Sequence, residues 1–358
     1  MTDHGHGSPH ARGVGYAVLA ALAFGLATPL VARFGRDLGP FSTAACLYGG
    51  AAVVGIVLQR FQRGSGHPLR PEDRLRILAM AVIGATVAPS LLAFGLQHTG
   101  PTSASLVLNL EAIFTLLLAA LVYKEPLGWR AGIAALVMLA GGSLLVVQTG
   151  DVGGAGVGLL AVAAATAAWG VDNTLSKPLA EAEPLVVVAV KAAVGAVLAC
   201  AVAVIAGEPL PMATDVLALM AVGAVGYGGS LAFYLSAQRH LGAGRTGSVF
   251  ALGPFIGALV AIALGDRDLG WATAVAAGLF ALGVWLHLSE PHRHLHVHEP
   301  LEHEHFHRHD DGHHDHAHGP EAVVPKRGHS HLHAHPRIEH DHPHAPDLHH
   351  LHGHPTKR

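Results

Sequence analysis

Cysteine is almost absent: Cys46 and Cys200 are the only two in 358 residues, and both fall inside apolar runs. That excludes a disulfide framework and a disulfide-held extracellular domain. The pair reads as buried small hydrophobes, with soft metal ligation as the alternative. Charge is equally scarce, at 13% of residues against 51% hydrophobic, and mean hydropathy is +0.41 although the C-terminal end is strongly polar. A soluble helical protein would need polar faces that these runs do not have. No nucleophile setting, phosphate-cradling glycine loop or closed metal site is present either, so neither an enzyme nor a nucleic-acid partner is expected.

What is present is a series of ten apolar windows, each long enough to cross a bilayer. They lie at residues 13–33, 40–59, 75–97, 103–122, 129–147, 156–178, 184–206, 215–237, 245–264 and 269–288. The first reads as a retained span and not a signal peptide, since Pro29 and Arg33 stand where small residues would mark cleavage. The pattern then repeats. Leu127, Gly128 and Trp129 recur as Leu269, Gly270 and Trp271, and His98 and Gly100 recur as His240 and Gly242, in both cases 142 residues on. Ala23 to Gly25 and Ala168 to Gly170 give a third echo at 145. Five spans per copy turn the second copy upside down, the architecture of secondary transporters. The fold expected is therefore all-α: an integral membrane protein of ten transmembrane helices in two inverted five-helix repeats, residues 13–147 and 156–288. A cytoplasmic His-containing segment, 1–12, precedes them and a disordered His-rich tail, 289–358, follows.

Lys and Arg set the orientation. With both ends in the cytoplasm, the inner loops hold Arg60, Arg63, Arg70, Arg74, Arg76, Lys124, Arg130, Lys177, Arg239 and Arg245, and the outer ones only Arg33, Arg36 and Arg267. This predicts a multi-pass protein of the inner membrane. Three of four equivalent loop pairs swap charge between the copies, as inversion requires; Arg33 and Arg36 against Lys177 do not.

Residues Thr102 to Phe114, with Glu111 inside them, followed by Tyr123 to Leu127, resemble the EamA type of the drug/metabolite transporter superfamily. The first copy keeps Glu111 but has Ala112 where the family pattern has proline; the second has Gly253 and Pro254 and so keeps the proline alone. Trp169 with Gly170, and the run Tyr234 to Ala243, also fit. The resemblance covers about residues 13–288. It implies a central cavity built from spans one to four and six to nine, and it leaves the substrate open.

Three ionisable residues lie inside spans, where a charge costs about 3 kcal/mol and is usually turned inward. Asp172 and Lys191 stand 10 residues before and 9 after Ala182, in the hairpin of spans six and seven. Both are thus about 10 Å from the cytoplasmic ends and able to form an ion pair. The pair either neutralises itself or opens for a substrate or proton. Glu111, with Asn109 nearby and no evident partner, is a candidate proton or cation site or else a hydrogen-bonded structural carboxyl. Asn173 and Trp169 complete the candidates. Pro29, Pro89 and Pro254 interrupt spans one, three and nine, each freeing a carbonyl. Spans five and ten lack proline, and Gly132, Gly141 and Gly142 read as close helix packing.

The tail holds 23 of the 30 histidines. They recur mostly as His-X-His: His292, His294, His296 and His298; His303, His305, His307 and His309; His313, His314, His316 and His318; His329, His331, His333 and His335. Neutral imidazoles two apart in a flexible chain can converge on Zn, Ni, Co or Cu with little discrimination. No cofactor is required for transport. Three readings stay open: an exporter of small organic metabolites or drugs with a metal-binding accessory tail, an exporter of divalent Ni, Co or Zn that the tail collects, and a membrane-tethered metal store. No histidine lies in the body of a span, which weighs against the second. The lipid bilayer, a small-molecule substrate and metal ions are the expected partners; oligomeric state is left open.

Overall fold

The computed structural model describes residues 9–61, 69–124, 128–149, 154–179, 182–241, 243–267, 270–289, 295–298, 301–307, 329–335 and 338–341. Among the described residues ten helices are long and apolar enough to cross a membrane. In chain order these spans are Ala11–Phe34, Pro40–Phe61, Pro71–His98, Pro101–Tyr123, Trp129–Gln148, Ala155–Leu179, Pro184–Ile205, Ala213–Gln238, Arg245–Ala263 and Trp271–Leu288. Prolines open four of them, where the first amides of a helix have no partner to lose. The surface is inside-out by the standard of soluble proteins: Leu121, Leu136, Val197, Ile205 and Leu259 are all exposed. Hydrocarbon is the solvent that such a surface fits. The same reason corrects the reading of the cysteines, because Cys46 is half-buried and Cys200 exposed; an apolar run in a membrane protein is covered by lipid as much as by protein.

Packing obeys an exchange between the two copies. Span one packs on spans eight and nine, and span six packs correspondingly on spans three and four. Span two lies against seven, four against nine, and five against ten, so each of these pairs maps onto itself. Small residues make the approaches close. A side chain at Gly25 would meet the Gly253 carbonyl of span nine, and one at Gly141 would press on Leu279 of span ten. Gly132, by contrast, has open space around it, so helix packing does not account for it. The recurring tryptophans end up on opposite faces: Trp129 opens span five on the face of the chain ends and Trp271 opens span ten on the other. Both are largely exposed, as interfacial tryptophans are.

The helices are interrupted at matching places. Span three widens into a π-turn at Ile83–Val87 and span eight at Ala224–Gly229. Span four tightens at Leu108 and Asn109, where Asn109 N donates to Leu106 O at 3.1 Å. Span nine does so at Ala251 and Leu252, where Leu252 N donates to Val249 O at 3.1 Å. Pro89 and Pro254 stand in the first turn of the helix that resumes after such an interruption. Pro29 lies inside an unbroken helix, contrary to the reading of it as a breaker. Span four breaks without any proline.

Residues 291–358 form a separate unit. Four of its segments are described, all extended: β1 (Leu295–His298) pairs antiparallel with β4 (Ile338–Asp341), and β2 (Leu301–His307) with β3 (His329–His335). Alternation of histidine with other residues has the period of a strand. These four segments depart from the disorder expected of the tail, and for the rest of the tail that expectation lies outside the described residues.

Candidate functional site

Asp172 and Asn173 are consecutive on span six and so point about 100° apart around its axis. Asp172, only 4% exposed, faces spans three and seven. Its Oδ2 is ion-paired with and hydrogen-bonded to Lys191 Nζ of span seven, the partner that the hairpin spacing suggests. Its carboxyl group fills the space that a side chain at Gly84 would need, so span three must carry glycine there. Asp172 Oδ1 is buried without a hydrogen-bond partner among the described residues.

Gly84 belongs to the π-turn of span three, and widening a helix by one residue changes which carbonyls are used. Gly84 O accepts from Tyr48 Oη of span two at 2.7 Å and from Trp169 Nε1 of span six at 3.0 Å. Thr86 Oγ1 of the same turn donates to Gly195 O of span seven at 3.2 Å. Tyr227, from the π-turn of span eight, lies with its ring 5.5 Å from Tyr48 and 6.5 Å from Trp169. The two widened turns therefore meet across three aromatic rings. Phe24 joins Tyr227 at 6.5 Å and Phe250 at 5.2 Å, and Phe250 joins Tyr234 at 5.1 Å, extending the row through spans one, eight and nine.

The adjacent face of span six, where Asn173 points, meets Glu111 of span four. Asn173 Nδ2 donates to Glu111 Oε1 at 3.0 Å and to Thr115 Oγ1 at 3.2 Å. The partner of Glu111 is thus Asn173, not Asn109, whose amide turns back to Leu106 O of its own span at 3.0 Å. Asn109 closes the break just before Glu111, as Leu252 does before Gly253 and Pro254. Pro254 has no part in the ion pair or the Glu111 cluster and belongs to the break of span nine. Tyr48, Gly84, Thr115 and Tyr227 were missed in the sequence. The available signal was a polar phenol in an apolar span, which needs a buried partner, and the glycine cluster Gly226, Gly228 and Gly229 around Tyr227. Of the tail histidines, His292, His294, His309, His313, His314, His316 and His318 lie outside the described residues. The ladder sets His303, His305 and His307 opposite His333, His331 and His329, and His296 opposite His340.

At the face opposite the chain ends, carboxylates of the second repeat hold helix starts of the first. Glu208 accepts from Phe41 N at 3.1 Å, Ser42 N at 2.8 Å and Ser42 Oγ at 2.7 Å, and Asp266 from Thr102 N at 2.9 Å. Both positions favour negative charge.

Two exchange-related halves, interrupted at matching places in spans three and eight and in spans four and nine, with a buried ion pair beside the break of span three, define a multi-pass transport protein of the inverted-repeat class. The EamA-like transporter family matches residues 11–147 and, separately, residues 156–289, and the chain belongs to that family. An "Uncharacterized transporter" of Methanothermobacter thermautotrophicus is 29% identical over 225 residues, or 61% of this chain, and the chain spans 65% of that relative's length. The "Uncharacterized transporter YyaM" of Bacillus subtilis is 23% identical over 288 residues, 76% of this chain and 90% of the relative. A protein of known crystal structure has the same fold, with a TM-score of 0.54 at 22% identity over 78% of this chain and 96% of its own.

Proposed function

We propose that the protein is a secondary exporter of small organic metabolites or drugs, and that Asp172 and Lys191 exchange their mutual ion pair for contacts with the solute or a proton. The observation that carries this reading is the buried pair beside the π-turn of span three, with Asp172 Oδ1 left unpartnered. A pair that only neutralised itself gains nothing over apolar packing. A helix interruption next to it supplies a place where backbone and side chains can rearrange. Glu111 and Asn173, on the adjacent face of span six, form a second polar contact between spans four and six that such a rearrangement would strain or release. The loop arginines support a cytoplasmic position for both termini of an inner-membrane protein. Among the described residues no group of three or more His, Cys, Asp or Glu could hold a metal ion, so the bundle favours an organic solute over a divalent cation.

The tail is an accessory in this reading, binding Zn, Ni, Co or Cu. The ladder register supports it, because directly opposed residues of an antiparallel pair have Cβ atoms about 5 Å apart. The test is export from proteoliposomes and growth of a deletion strain on drug, amino-acid and metal panels. Wild-type chain should restore a solute phenotype that Asp172→Asn with Lys191→Met does not. Restoration by that double variant removes the pair from the mechanism, and a phenotype confined to metals removes the organic solute.

A further inference from the structure

We propose that the face opposite the chain ends carries an anion-binding vestibule, built by Arg33, Arg36 and Arg267, that takes a small carboxylate solute. A cavity of about 810 Å³ opens there between the ends of spans one, three and nine and the start of span four, and all three arginines line it. They are the only Lys or Arg that the sequence places at this face. Membrane insertion biases basic residues to the other face, so gathering every exception into one cavity, from both repeats, works against that bias and against mutual repulsion. Among the described residues none of the three is in an ion pair, and the side chains of Arg33 and Arg36 make no hydrogen bond.

One carboxylate, Asp266, shares the lining and accepts from Thr102 N; against three guanidinium groups it leaves an excess of positive charge in the lining. The walls are fixed. Gln97 Nε2 donates to Gly35 O at 3.2 Å and Leu38 O at 2.6 Å, holding the turn that carries Arg36 against the end of span three. Guanidinium groups match carboxylates through paired hydrogen bonds, and a recess with an excess of one charge concentrates the opposite ion. The volume suits a metabolite-sized solute. The site is separate from the Asp172 and Lys191 pair, and its occupancy can be read without transport.

The probe is labelled succinate on the full chain in nanodiscs of phosphatidylcholine. Binding should saturate, weaken as salt rises, and fall about tenfold or more in Arg33→Gln/Arg36→Gln and in Arg267→Gln. It should be unchanged in Arg60→Gln, at the other face, and choline should not bind. Because the salt dependence needs no variant, a folding defect in the substituted chains leaves the test intact. Absence of saturable binding overturns the proposal, as does binding indifferent to salt and to the vestibule substitutions. Loss of succinate binding when phosphatidylglycerol replaces phosphatidylcholine assigns the arginines to lipid headgroups and overturns the solute version.

Discussion

Removing one member of the Asp172 and Lys191 pair should cost far more than removing both. The side chains are 6% and 17% exposed, so neither charge has water to fall back on. The neighbouring acceptor, Gly84 O, is already taken by Tyr48 and Trp169, and span three presses Gly84 against the Asp172 carboxyl. Stranding a buried charge in this way costs about 3 to 5 kcal/mol. Neutralisation by gaining or losing a proton costs about 4 kcal/mol at neutral pH, which caps the penalty at a similar size. Asp172→Asn and Lys191→Met should each lose roughly a hundredfold or more in the folded-to-unfolded ratio. The combined variant, which leaves no charge behind, should recover most of it. The assay is thermal unfolding of purified chains monitored by fluorescence-detected size exclusion, with membrane yield alongside. A double variant that loses the sum of the two single losses would show that no coupling exists and would refute the argument from burial.

Four further outcomes can be checked. Gly84→Ala should fail to fold or lose transport, because its methyl collides with the Asp172 carboxyl; Tyr48→Phe should cost only about 1 kcal/mol, since Trp169 still donates to Gly84 O, and Tyr48→Phe with Trp169→Phe should cost more than the sum of the singles by leaving that carbonyl unpaired. Unfolding midpoints of the three chains decide this, and additive losses would mean that the carbonyl finds another donor. Reporter fusions at both termini and in the Arg60 to Arg76 loop should be active as cytoplasmic sites, whereas a fusion at Asp151 that reports cytoplasm would break the inverted arrangement. A segment from His292 to Arg358 should bind several Ni, Co or Zn ions by calorimetry and release them as pH falls through about 6.5, where imidazoles protonate; metal held at pH 4 would assign the carboxylates as ligands.

The number of spans, their limits and their inverted duplication were legible in the chain because each rests on a local quantity. Bilayer thickness fixes the length of an apolar run, and an odd count of runs fixes the inversion. The partnership of Asp172 with Lys191 was legible for a similar reason: both lie in one hairpin, where helical rise alone sets their depth.

Contacts between segments far apart in the chain were not legible in this way. Asn109 is two residues from Glu111, yet Asn173, 62 residues away, is the partner, since the turn at Leu108 and Asn109 folds the nearer amide back on its own span. The π-turns carry no proline to announce the first widened residue, and Tyr48 and Trp169 converge on Gly84 only once spans two, three and six are packed. The three outer arginines looked like scattered exceptions to a charge rule. Packing of spans one, three, four and nine gathers them around one cavity. Hydropathy along the chain determined which segments are long and apolar enough to enter the membrane. Which polar groups share a site was decided only by the exchange packing of the two repeats, because inside a bilayer a polar group takes whichever partner the neighbouring helix brings within reach.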